Sequence, residues 1–596
     1  VFSYQTEGAD GEISTGLYQR PATTANFTAS KPAVVVSQNS NYSGLKVTNT
    51  PTGALMAYWQ QSDGQSNQIF QTTIANGIST NYSYDVKGNP LSTTYANGST
   101  ENWSSYSAAG FPGSRTNRRG QQLGLTFTSS GQLDRRTFPD GSYADFDYDA
   151  RGNVVTLTEH PAVGADKITT FVYSPATDGD RLRRVTYPDG RCVDYFFDAD
   201  GRRIRMTDSA GGDTRYEYDA VSRLSKLRDA ANNVLAEYLY DAAGHLSRVN
   251  KGNGTATAYS YDAAGRLVLL ANLAADESPH TSFAYTYDSR GRRLTATSQD
   301  GVWTYTYDAT GQLTRAVLTS TNPLITNQDL RYNYDAAGNR ISTLINGTAT
   351  NYAINNLNQY TGIGGVPQLY DADGNLTSDG TNTYTYNTLN QLVQVSGPGG
   401  VTQHEYDAMG HRTATIVNGQ RTDYLLDLTG IVHVLAEFDT SGLAARNLHG
   451  LGLVNRAAGG TTGWFDFDAT GSVAAVRQNS GAVLNRYAFE PFGSSLLRTE
   501  TMANPFQFVG QFGVQTDADG SVFMRARYYH VRSGEFFQND PIRLAGGDVN
   551  MRRYVQNDPV SYVDPKGTDL WDWVRREREN PRTRESNAER IVGWQQ

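Results

Sequence analysis

The stretch Tyr259-Ser260-Tyr261-Asp262-Ala263-Ala264-Gly265-Arg266-Leu267 decides the fold, because it recurs along the chain with few changes. Near-identical copies begin at Tyr285, Tyr305 and Tyr332. A motif repeated in this way indicates a small structural unit that buries its apolar face by stacking on its neighbours. The sequence therefore predicts one long repeat body rather than a series of unrelated domains.

Each copy predicts a β-strand that runs into a tight turn. Side chains alternate along a strand, so both tyrosines lie on one face and the residue between them lies on the other. The Asp then accepts backbone N–H groups, and the Gly three residues later supplies the positive φ of the turn. Consecutive motif aspartates from Asp219 to Asp335 are about 20 to 27 residues apart, with longer gaps beyond them, and this period fits two strands per repeat. A second turn type reads Pro-Asp-Gly, at 139–141 and 188–190.

The turn aspartates are numerous enough to suggest catalytic acids or calcium ligands. They are Asp149, Asp219, Asp241, Asp262, Asp288, Asp308, Asp335, Asp371 and Asp407. We interpret them as turn formers, because each precedes a turn in the same way and the EF-hand spacing is absent. The nearby Arg266, Arg292 and Arg412 are interpreted as solvated residues or as cross-strand partners of these carboxylates.

Composition favours an all-β protein and excludes several function classes. Gly (59) and Tyr (37) are abundant, while charged residues make up only 19%, as in short strands joined by tight turns. The net charge is −9 and no sustained cluster of Lys and Arg is present, so the sequence does not indicate a basic surface that binds nucleic acid. No apolar run is long enough to span a bilayer. The eight histidines show no metal or triad spacing, so we expect no cofactor and no metal.

The single Cys192 excludes an internal disulfide framework and a cysteine metal cluster. Because it lies in a strand-like run, we predict that it is buried as packing. The chain begins at Val1 without an initiator Met or a signal peptide, so we expect it to be a piece of a longer protein. Residues 1–80 lack a clean motif and are predicted as irregular strands that cap the repeat body.

The repeated motif resembles the YD repeats of bacterial Rhs proteins, of the C components of insecticidal Tc toxins and of the teneurin receptors of animals. The resemblance covers residues 81–568. It implies a long antiparallel β-ribbon that spirals into a hollow closed shell over residues 81–490. It further implies a C-terminal plug over residues 491–568, followed at 569–596 by the start of a variable cargo segment. The spacing alone predicts a β solenoid or barrel.

The closing segment resembles the Rhs-associated core in the order and spacing of six motifs. These are Asn504–Gln511, Arg525–Tyr529, Ser533–Phe536, Asp540–Gly547, Tyr554–Val560 and Asp564–Gly567. In bacterial members this core is similar to a built-in aspartyl protease. It cuts its own chain just after an Asp-Pro-x-Gly-Leu element and frees a toxin inside the shell.

The resemblance assigns roles to five residues. Asp540 is implied as a catalytic carboxylate, Asp564 as a second carboxylate, and Arg527 as a supporting charge, with the cut between Thr568 and Asp569. An aspartyl mechanism needs two carboxylates that share a proton, so that one activates water and the other protonates the leaving amine.

Two departures from the family pattern leave an alternative open. Arg543 stands where family members usually have Gly, and Thr568 stands where they have Leu. The alternative is that both Asp-Pro pairs only form turns in the plug. If the site is active, Leu570 offers a displaced position for the cut.

Residues 569–596 differ sharply in composition from the repeats. They contain no Tyr and mix Arg closely with Glu and Asp. Acids precede bases between Asp569 and Arg578, which predicts a short helix that ends before Pro581. A second short helix is predicted with Ser586 as its cap. Twenty-eight residues are too few to fold alone.

These observations support three functional hypotheses. The first is a toxin-delivery shell that encloses its own C-terminal effector and is secreted or displayed by a bacterium through machinery attached before Val1. The second is a teneurin-like adhesion scaffold without enzymatic activity, for which Asn-x-Ser/Thr triplets at Asn26, Asn41, Asn81 and Asn97 would serve as glycan acceptors. The third, a carbohydrate-active enzyme, is disfavoured because no unrepeated acid pair precedes residue 540. No activity other than self-cleavage is expected.

Overall fold

The computed structural model describes the fold of residues 78–568, the backbone of six strands before them and the backbone of residues 571–572; side chains are described for 80–568 except 544 and 545. Strands account for 52% of the chain and helical turns for 2%, so the all-β prediction is confirmed. Within the described part, no helix has the length and apolarity needed to cross a bilayer. Of the predicted N-terminal cap only the backbone of its strands is described, and most of the C-terminal segment lies outside the described residues.

The strands are numbered β1 to β53 in chain order. Strands β1 to β6 are Phe2–Glu7, Ile13–Tyr18, Val35–Gln38, Tyr42–Asn49, Leu55–Ser62 and Asn67–Ala75. Strands β7 to β20 are Ile78–Tyr84, Pro90–Thr94, Thr100–Ser104, Ser114–Thr116, Gln122–Phe127, Leu133–Thr137, Tyr143–Tyr148, Val154–His160, Lys167–Tyr173, Leu182–Thr186, Cys192–Phe197, Arg203–Asp208, Asp213–Tyr218 and Leu224–Arg228. Strands β21 to β33 are Val234–Tyr240, Leu246–Lys251, Ala256–Tyr261, Leu267–Leu273, Pro279–Tyr287, Arg293–Ser298, Gly301–Tyr307, Leu313–Ser320, Gln328–Tyr334, Arg340–Ile345, Thr348–Ile354, Tyr360–Ile363 and Val366–Pro367.

The remaining strands belong to the second half of the chain. Strands β34 to β47 are Leu369–Tyr370, Leu376–Ser378, Thr383–Tyr386, Leu392–Gly397, Gly400–Tyr406, Arg412–Val417, Gln420–Asp427, His433–Asp439, Gly442–His449, Leu453–Ala458, Thr461–Phe467, Val473–Arg477, Val483–Phe489 and Ser495–Glu500. Strands β48 to β53 are Gln515–Thr516, Val522–Met524, Arg527–His530, Glu535–Phe536, Tyr562–Val563 and Trp571–Asp572. Four 3-10 turns lie at Ala176–Asp178, Gly510–Phe512, Arg543–Gly546 and Val555–Asn557.

The strands form a continuous antiparallel ribbon. Strands β4 to β33 follow one another in sequence order within one sheet, and β34 to β47 form a second sheet of 14 strands. Each motif contributes the end of one strand, a turn and the start of the next, so two strands are added per repeat. The predicted antiparallel ribbon of two-strand repeats is therefore confirmed.

The motif aspartates form turns, as predicted. The Asp262 carboxylate accepts hydrogen bonds from the backbone N–H groups of Ala264 at 2.9 Å and Arg266 at 3.0 Å. Its second oxygen accepts from Arg266 Nε at 2.7 Å. Gly265 adopts a φ of +75°, in the left-handed region where a side chain is costly. These carboxylates are saturated by their own turn, which removes them as candidates for chemistry.

The two tyrosines of a motif share one face of the strand but have different roles. Tyr285 is buried, Thr286 is exposed, and Tyr287 is half-buried. The Tyr287 hydroxyl donates a 2.5 Å hydrogen bond to the carbonyl of Leu267. Leu267 is the first residue of β24 and directly follows the preceding Asp–Gly turn. The second tyrosine of the motif makes the same kind of bond at Tyr148, Tyr218, Tyr240, Tyr261, Tyr307, Tyr334, Tyr386 and Tyr406. Each such bond ties one Asp turn to the preceding one.

Successive passes of the ribbon stack on each other. We call residues 80–300 the first winding and residues 356–500 the second winding. Arg136 in the first winding donates to the Ala408 carbonyl, 272 residues further on. Lys251 contacts Asp466, 215 residues further on, and the Tyr285 hydroxyl accepts from the Ala469 N–H, 184 residues further on. The interval between stacked residues therefore shortens along the chain.

The main apolar core lies between these windings. It unites buried residues of β12 to β22 with buried residues of β40 to β44, including Leu157, Val193 and Leu227 with Leu425 and Leu435. Each of these five side chains is at most 3% exposed. Burial of apolar side chains contributes roughly 25 cal/mol per Å², so stacking of the windings is a main source of stability.

Three expectations from the sequence are corrected by the structure. Cys192, expected to be buried, is half-exposed at the start of β17. Arg412, expected to be solvated or paired with a motif carboxylate, is 3% exposed and binds the C-terminal segment instead. The backbone of Trp571–Asp572 pairs with Tyr562–Val563 as a strand rather than beginning a helix, because the chain leaves the core in an extended direction beside β52. The remainder of both predicted helices lies outside the described residues.

Candidate functional site

Residues 501–568 form a compact unit that contacts the wall from many sides, and we call this unit the core. Its centre is apolar and largely aromatic, with Phe508, Met524, Tyr529, Phe536 and Tyr554 all at most 4% exposed. Aromatic side chains supply a large apolar area per residue. This lets a unit with only short strands pack densely.

Polar contacts join the core to the turns of the wall. Wall groups that contact the core directly include Arg293, Gln312, Gly338, Asn339, Arg340, Leu376, Arg412, Val432 and Ser472. Most of these residues begin a strand or lie in the Asp–Gly turn just before it. The core is therefore surrounded by consecutive turns of the ribbon.

Arg527 occupies the centre of the candidate site. It is the first residue of β50, is 4% exposed and stacks its guanidinium 3.6 Å from the centre of the Phe536 ring. Its Nη2 lies 3.1 Å from Asp540 Oδ2 and 3.2 Å from Asp564 Oδ2. Its Nε donates to the Gly567 carbonyl at 2.5 Å. One buried cation therefore holds both predicted carboxylates and the turn before the predicted cut.

Asp540 is fixed by backbone contacts on both sides. Its N–H donates to the Met551 carbonyl at 2.8 Å, and its Oδ1 accepts from the Ile542 N–H at 2.9 Å. Arg527 Nη1 donates to the same Met551 carbonyl at 2.9 Å. The remaining oxygen, Oδ2, is the one directed at Arg527.

Asp564 begins the turn that leads to the predicted cut. Its Oδ1 accepts from the N–H groups of Gly567 at 2.8 Å and Thr568 at 3.0 Å. Gly567 has a φ of +72°. The wall repeats use the same kind of turn, in which an Asp carboxylate accepts backbone N–H groups and a Gly adopts a positive φ. Here, however, the second carboxylate oxygen faces Asp540 across Arg527 instead of its own turn.

Gly546 leaves open the space in which Asp540 and Thr568 approach each other. A Cβ added to Gly546 would lie 2.7 Å from Asp540 Oδ2 and 3.0 Å from the Thr568 carbonyl oxygen. Any side chain at position 546 would collide with both groups. Gly546 thus brings a carboxylate close to the carbonyl of the predicted scissile bond.

The electrostatics of the site are those of one buried cation between two acids. Burial lowers the pKa of the Arg527 guanidinium, and Asp540 and Asp564 oppose that shift. Charges removed from water in this way persist only when they are paired and hydrogen-bonded. Both Oδ2 atoms are within hydrogen-bond distance of the same Nη2, so one nitrogen of Arg527 brings the two carboxylates to the same place.

The structure places four of the five predicted site residues together: Asp540, Asp564, Arg527 and Thr568. Asp569, on the far side of the predicted cut, lies outside the described residues. Sequence reasoning missed Gly546, although the Gly546-Gly547 pair stands in the matched motif. It also missed Glu101, which pairs with Arg543 and belongs to no recognisable motif.

Comparisons with known proteins agree with this architecture. A model of the teneurin YD-shell matches residues 282–426, and a model of the RHS repeat matches residues 177–213, 197–234 and 240–275. The tRNA3(Ser)-specific nuclease WapA of Bacillus spizizenii is 31% identical over 259 residues, which are 41% of this chain and 11% of that protein. Teneurin-1 of Gallus gallus is 26% identical over 316 residues, covering 48% and 11%. The matches thus span about a tenth of each relative.

Among solved structures, the crystal structure of TcdB2-TccC3 matches with a TM-score of 0.63 and 15% identity. The match covers 95% of this chain and 38% of that one, which shows a shared fold. The repeated motif, the antiparallel ribbon of two-strand units and these matches agree. Over the matched residues the chain is therefore similar to the Rhs/YD-repeat family.

Proposed function

We propose that this chain is the encapsulating shell of a toxin, which encloses an effector encoded after residue 568. Support comes from the wound ribbon and from relatives described as a nuclease and as a toxin subunit, WapA and YenC2 of Yersinia entomophaga. In this proposal residues 81–490 are the wall, 491–568 are the plug and 569–596 begin the cargo. The hollow, closed interior is part of the proposal.

We further propose that the core cuts its own chain between Thr568 and Asp569. The observation that carries this is the convergence of Asp540, Asp564 and the Thr568 carbonyl around Arg527 and Gly546. Two carboxylates that share one proton supply both a base and an acid. The buried arginine stabilises the negative charge that they hold between them.

The reaction consumes one water molecule. The two carboxylates share one proton before it and again after it. The ionised carboxylate removes a proton from water as the water oxygen attacks the Thr568 carbonyl carbon. The protonated carboxylate stabilises the negative charge that develops on the Thr568 carbonyl oxygen. Asp540 lies adjacent to that oxygen. Collapse of the tetrahedral adduct breaks the C–N bond, and a carboxyl proton passes to the Asp569 nitrogen. The products are a Thr568 carboxylate and a free Asp569 amine.

The test is the intact mass of a chain that extends beyond residue 596 into the cargo. We expect wild type to separate into two polypeptides at 568/569, and Asp540→Asn and Asp564→Asn to stay whole. Asp262→Asn, a turn aspartate of the wall, is the matched control and should be cut normally. An uncut wild type, or an Asp540→Asn variant with the same cleavage state as wild type, would remove the protease proposal.

The match of residues 282–426 to the teneurin YD-shell favours one second function. In it, the wall presents a recognition surface to a partner outside, and the interior holds no cargo. Density for a polypeptide inside the shell of the extended chain would exclude this alternative. An empty interior combined with an externally bound partner would support it.

For localisation we propose export from a bacterium. In this proposal the enclosed effector is the principal partner, and secretion or delivery machinery is a second one. Fractionation of a producing culture tests this, because chain confined to the cytosol throughout growth would contradict it.

A further inference from the structure

The loop that carries Asp540 is held by the wall on both of its sides. On one side, Asn539 Nδ2 donates to the carbonyl of Asp373, in the second winding, at 3.4 Å. On the other side, Arg543 Nη2 forms an ion pair with Glu101 of β9, in the first winding. Asp540 lies between these two attachments. Its position is therefore tied to two parts of the wall that are more than 250 residues apart.

Glu101 is built into the wall as a buried acceptor. It is 3% exposed, and its Oε1 accepts from Arg115 Nε at 2.5 Å. Its Oε2 receives Arg543, and the Tyr95 hydroxyl lies 3.4 Å away from the same oxygen. One carboxylate thus joins an arginine of the wall to an arginine of the core. Removing one member of such a group leaves a buried charge without its partner.

The two windings are joined at the same place. The Arg118 N–H donates to Asp373 Oδ1 at 2.8 Å, and Arg119 Nε donates to Asp373 Oδ2 at 2.7 Å. The Asp540 loop therefore crosses a seam between the windings. Its two attachments are in the correct relative position only when the windings are stacked in register.

Arg543 transmits this position to Asp540 through the backbone. Its φ is +55°, in the left-handed region that costs a residue with a side chain about 1 kcal/mol or more. The Arg543 N–H donates to the Asp540 carbonyl at 3.0 Å. The ion pair with Glu101 offsets the strained backbone, so loss of the pair would free the turn that sets the direction of the Asp540 carboxylate.

We propose that Glu101 is a positioning residue for self-cleavage: it holds Arg543, and through it Asp540, against the Thr568 carbonyl. Cleavage then follows stacking of the first winding on the core and does not precede it. This inference rests on the self-cleavage proposed above. Its consequence is that the cargo is released from the chain only after the wall around it is wound.

The test measures the rate of cleavage in freshly refolded extended chain by intact mass, for Glu101→Gln and Arg543→Ala. We expect both to slow cleavage about 10- to 100-fold, the cost of a displacement of roughly 1 Å at a reacting group. The matched control is Asp208→Asn. Asp208 forms a 2.6 Å ion pair with Arg446 between the two windings without contacting the core, and we expect its cleavage rate to stay within about twofold of wild type.

A second readout separates positioning from general stability. Arg543 is 36% exposed at its side chain, so guanidinium ions can reach the site vacated in Arg543→Ala. Millimolar guanidinium should restore cleavage in that variant and leave Glu101→Gln slow. A role in stability alone would not respond in this way, because guanidinium weakens folding.

The outcomes are distinct. Wild-type rates in Glu101→Gln, or equal slowing in Asp208→Asn, would overturn the inference. If wild type itself stays uncut, the proposed protease fails instead, and the contact is judged by hydrogen exchange at the Ile542 amide, which donates to Asp540. Faster exchange in Glu101→Gln than in Asp208→Asn then supports the positioning contact, and equal exchange overturns it.

Discussion

Arg412 at the start of β39 and Asp517 in the core form a buried ion pair, with 2.7 Å between Nη1 and Oδ2. Their side chains are 2% and 9% exposed. Arg412 also donates to the Tyr528 hydroxyl at 2.9 Å. The pair attaches the core to the wall, and both of its partners are largely shielded from water.

Replacing Asp517 by Asn should therefore loosen the core. The variant leaves the Arg412 charge buried without its counterion, which costs about 3–5 kcal/mol. We expect a lower apparent Tm and faster limited proteolysis within residues 501–568. The double variant Arg412→Met with Asp517→Leu should recover much of the loss, because two apolar groups replace the pair. An unchanged Tm in Asp517→Asn would contradict the role of the pair.

Gly546→Ala should abolish self-cleavage while the fold persists. The new Cβ would meet both Asp540 Oδ2 and the Thr568 carbonyl oxygen, at 2.7 and 3.0 Å, and must push them apart. Gly547→Ala is the control, since its Cβ would meet nothing within 4 Å, although its φ of +81° adds strain. Intact mass should show an uncut Gly546→Ala chain and a cut Gly547→Ala chain. Efficient cutting of both would show that the space at 546 is not required.

The turns of the wall should tolerate Asn better than Ala at the Gly position. Gly291 has a φ of +83° with open space around it, so only backbone strain decides the cost. We expect Gly291→Ala to destabilise by about 1 kcal/mol and Gly291→Asn by less, because Asn adopts this conformation more readily. The chain already uses Asn358 and Asn390 in such turns, with φ of +58° and +62°. Denaturant titration of both variants checks the order.

The hydroxyl of each second motif tyrosine should contribute separately to the free energy of unfolding. Tyr261→Phe removes the 2.9 Å bond to the Leu246 carbonyl and should cost about 1 kcal/mol. Leu267→Ala, at a site only 2% exposed, should cost about 2–5 kcal/mol. Because the phenyl ring stays in Tyr261→Phe, a cost as large as that of Leu267→Ala would show that the hydroxyl contributes more than one ordinary hydrogen bond. Equilibrium unfolding measures both.

Glu159 should make the wall less stable as pH rises. Burial, aided by nearby Asp407 and opposed by Lys167, raises the pKa of Glu159 to about 7. The folded chain therefore holds a proton that the unfolded chain has lost, so stability falls as pH rises from the ordinary Glu pKa of about 4.3 through 7. Glu159→Gln should match wild type at pH 3, below both pKa values, and be more stable at pH 8, by at most about 4 kcal/mol. An equal fall in stability between pH 3 and pH 8 in Glu159→Gln would contradict this origin of the pH dependence.

The local structure of the wall follows from the sequence because it depends on neighbouring residues. Alternation of Tyr285, Thr286 and Tyr287 and the Asp–Gly turn are each decided within about ten residues. Stacking of the windings is not local. The contact of Lys251 with Asp466 depends on how many residues complete one pass, and no short pattern encodes that number. The burial of Arg412 was missed for the same reason.

The candidate site likewise combines features that the sequence predicts with features that depend on contacts between distant residues. Its carboxylates and Arg527 were predicted only through resemblance to the family, since two Asp-Pro pairs alone do not differ from turn formers. The structure adds what a motif cannot express, namely that Asp540 and Asp564 meet at one nitrogen of Arg527. Glu101 could not be predicted, because its partner Arg543 is 442 residues away and occupies a place where the family pattern has another residue.

The shortening interval between stacked residues, from 272 at Arg136 to 184 at Tyr285, constrains how this chain can change length in evolution. Duplicating one repeat would move every later stacking partner by one turn. Contacts that use main-chain atoms, such as Tyr285 with the Ala469 N–H, survive the shift because every turn offers an equivalent amide. The pair of Lys251 with Asp466 does not survive it. The ion pairs between windings thus require a fixed number of repeats between their partners. The backbone contacts impose no such requirement, so they tolerate a change in that number.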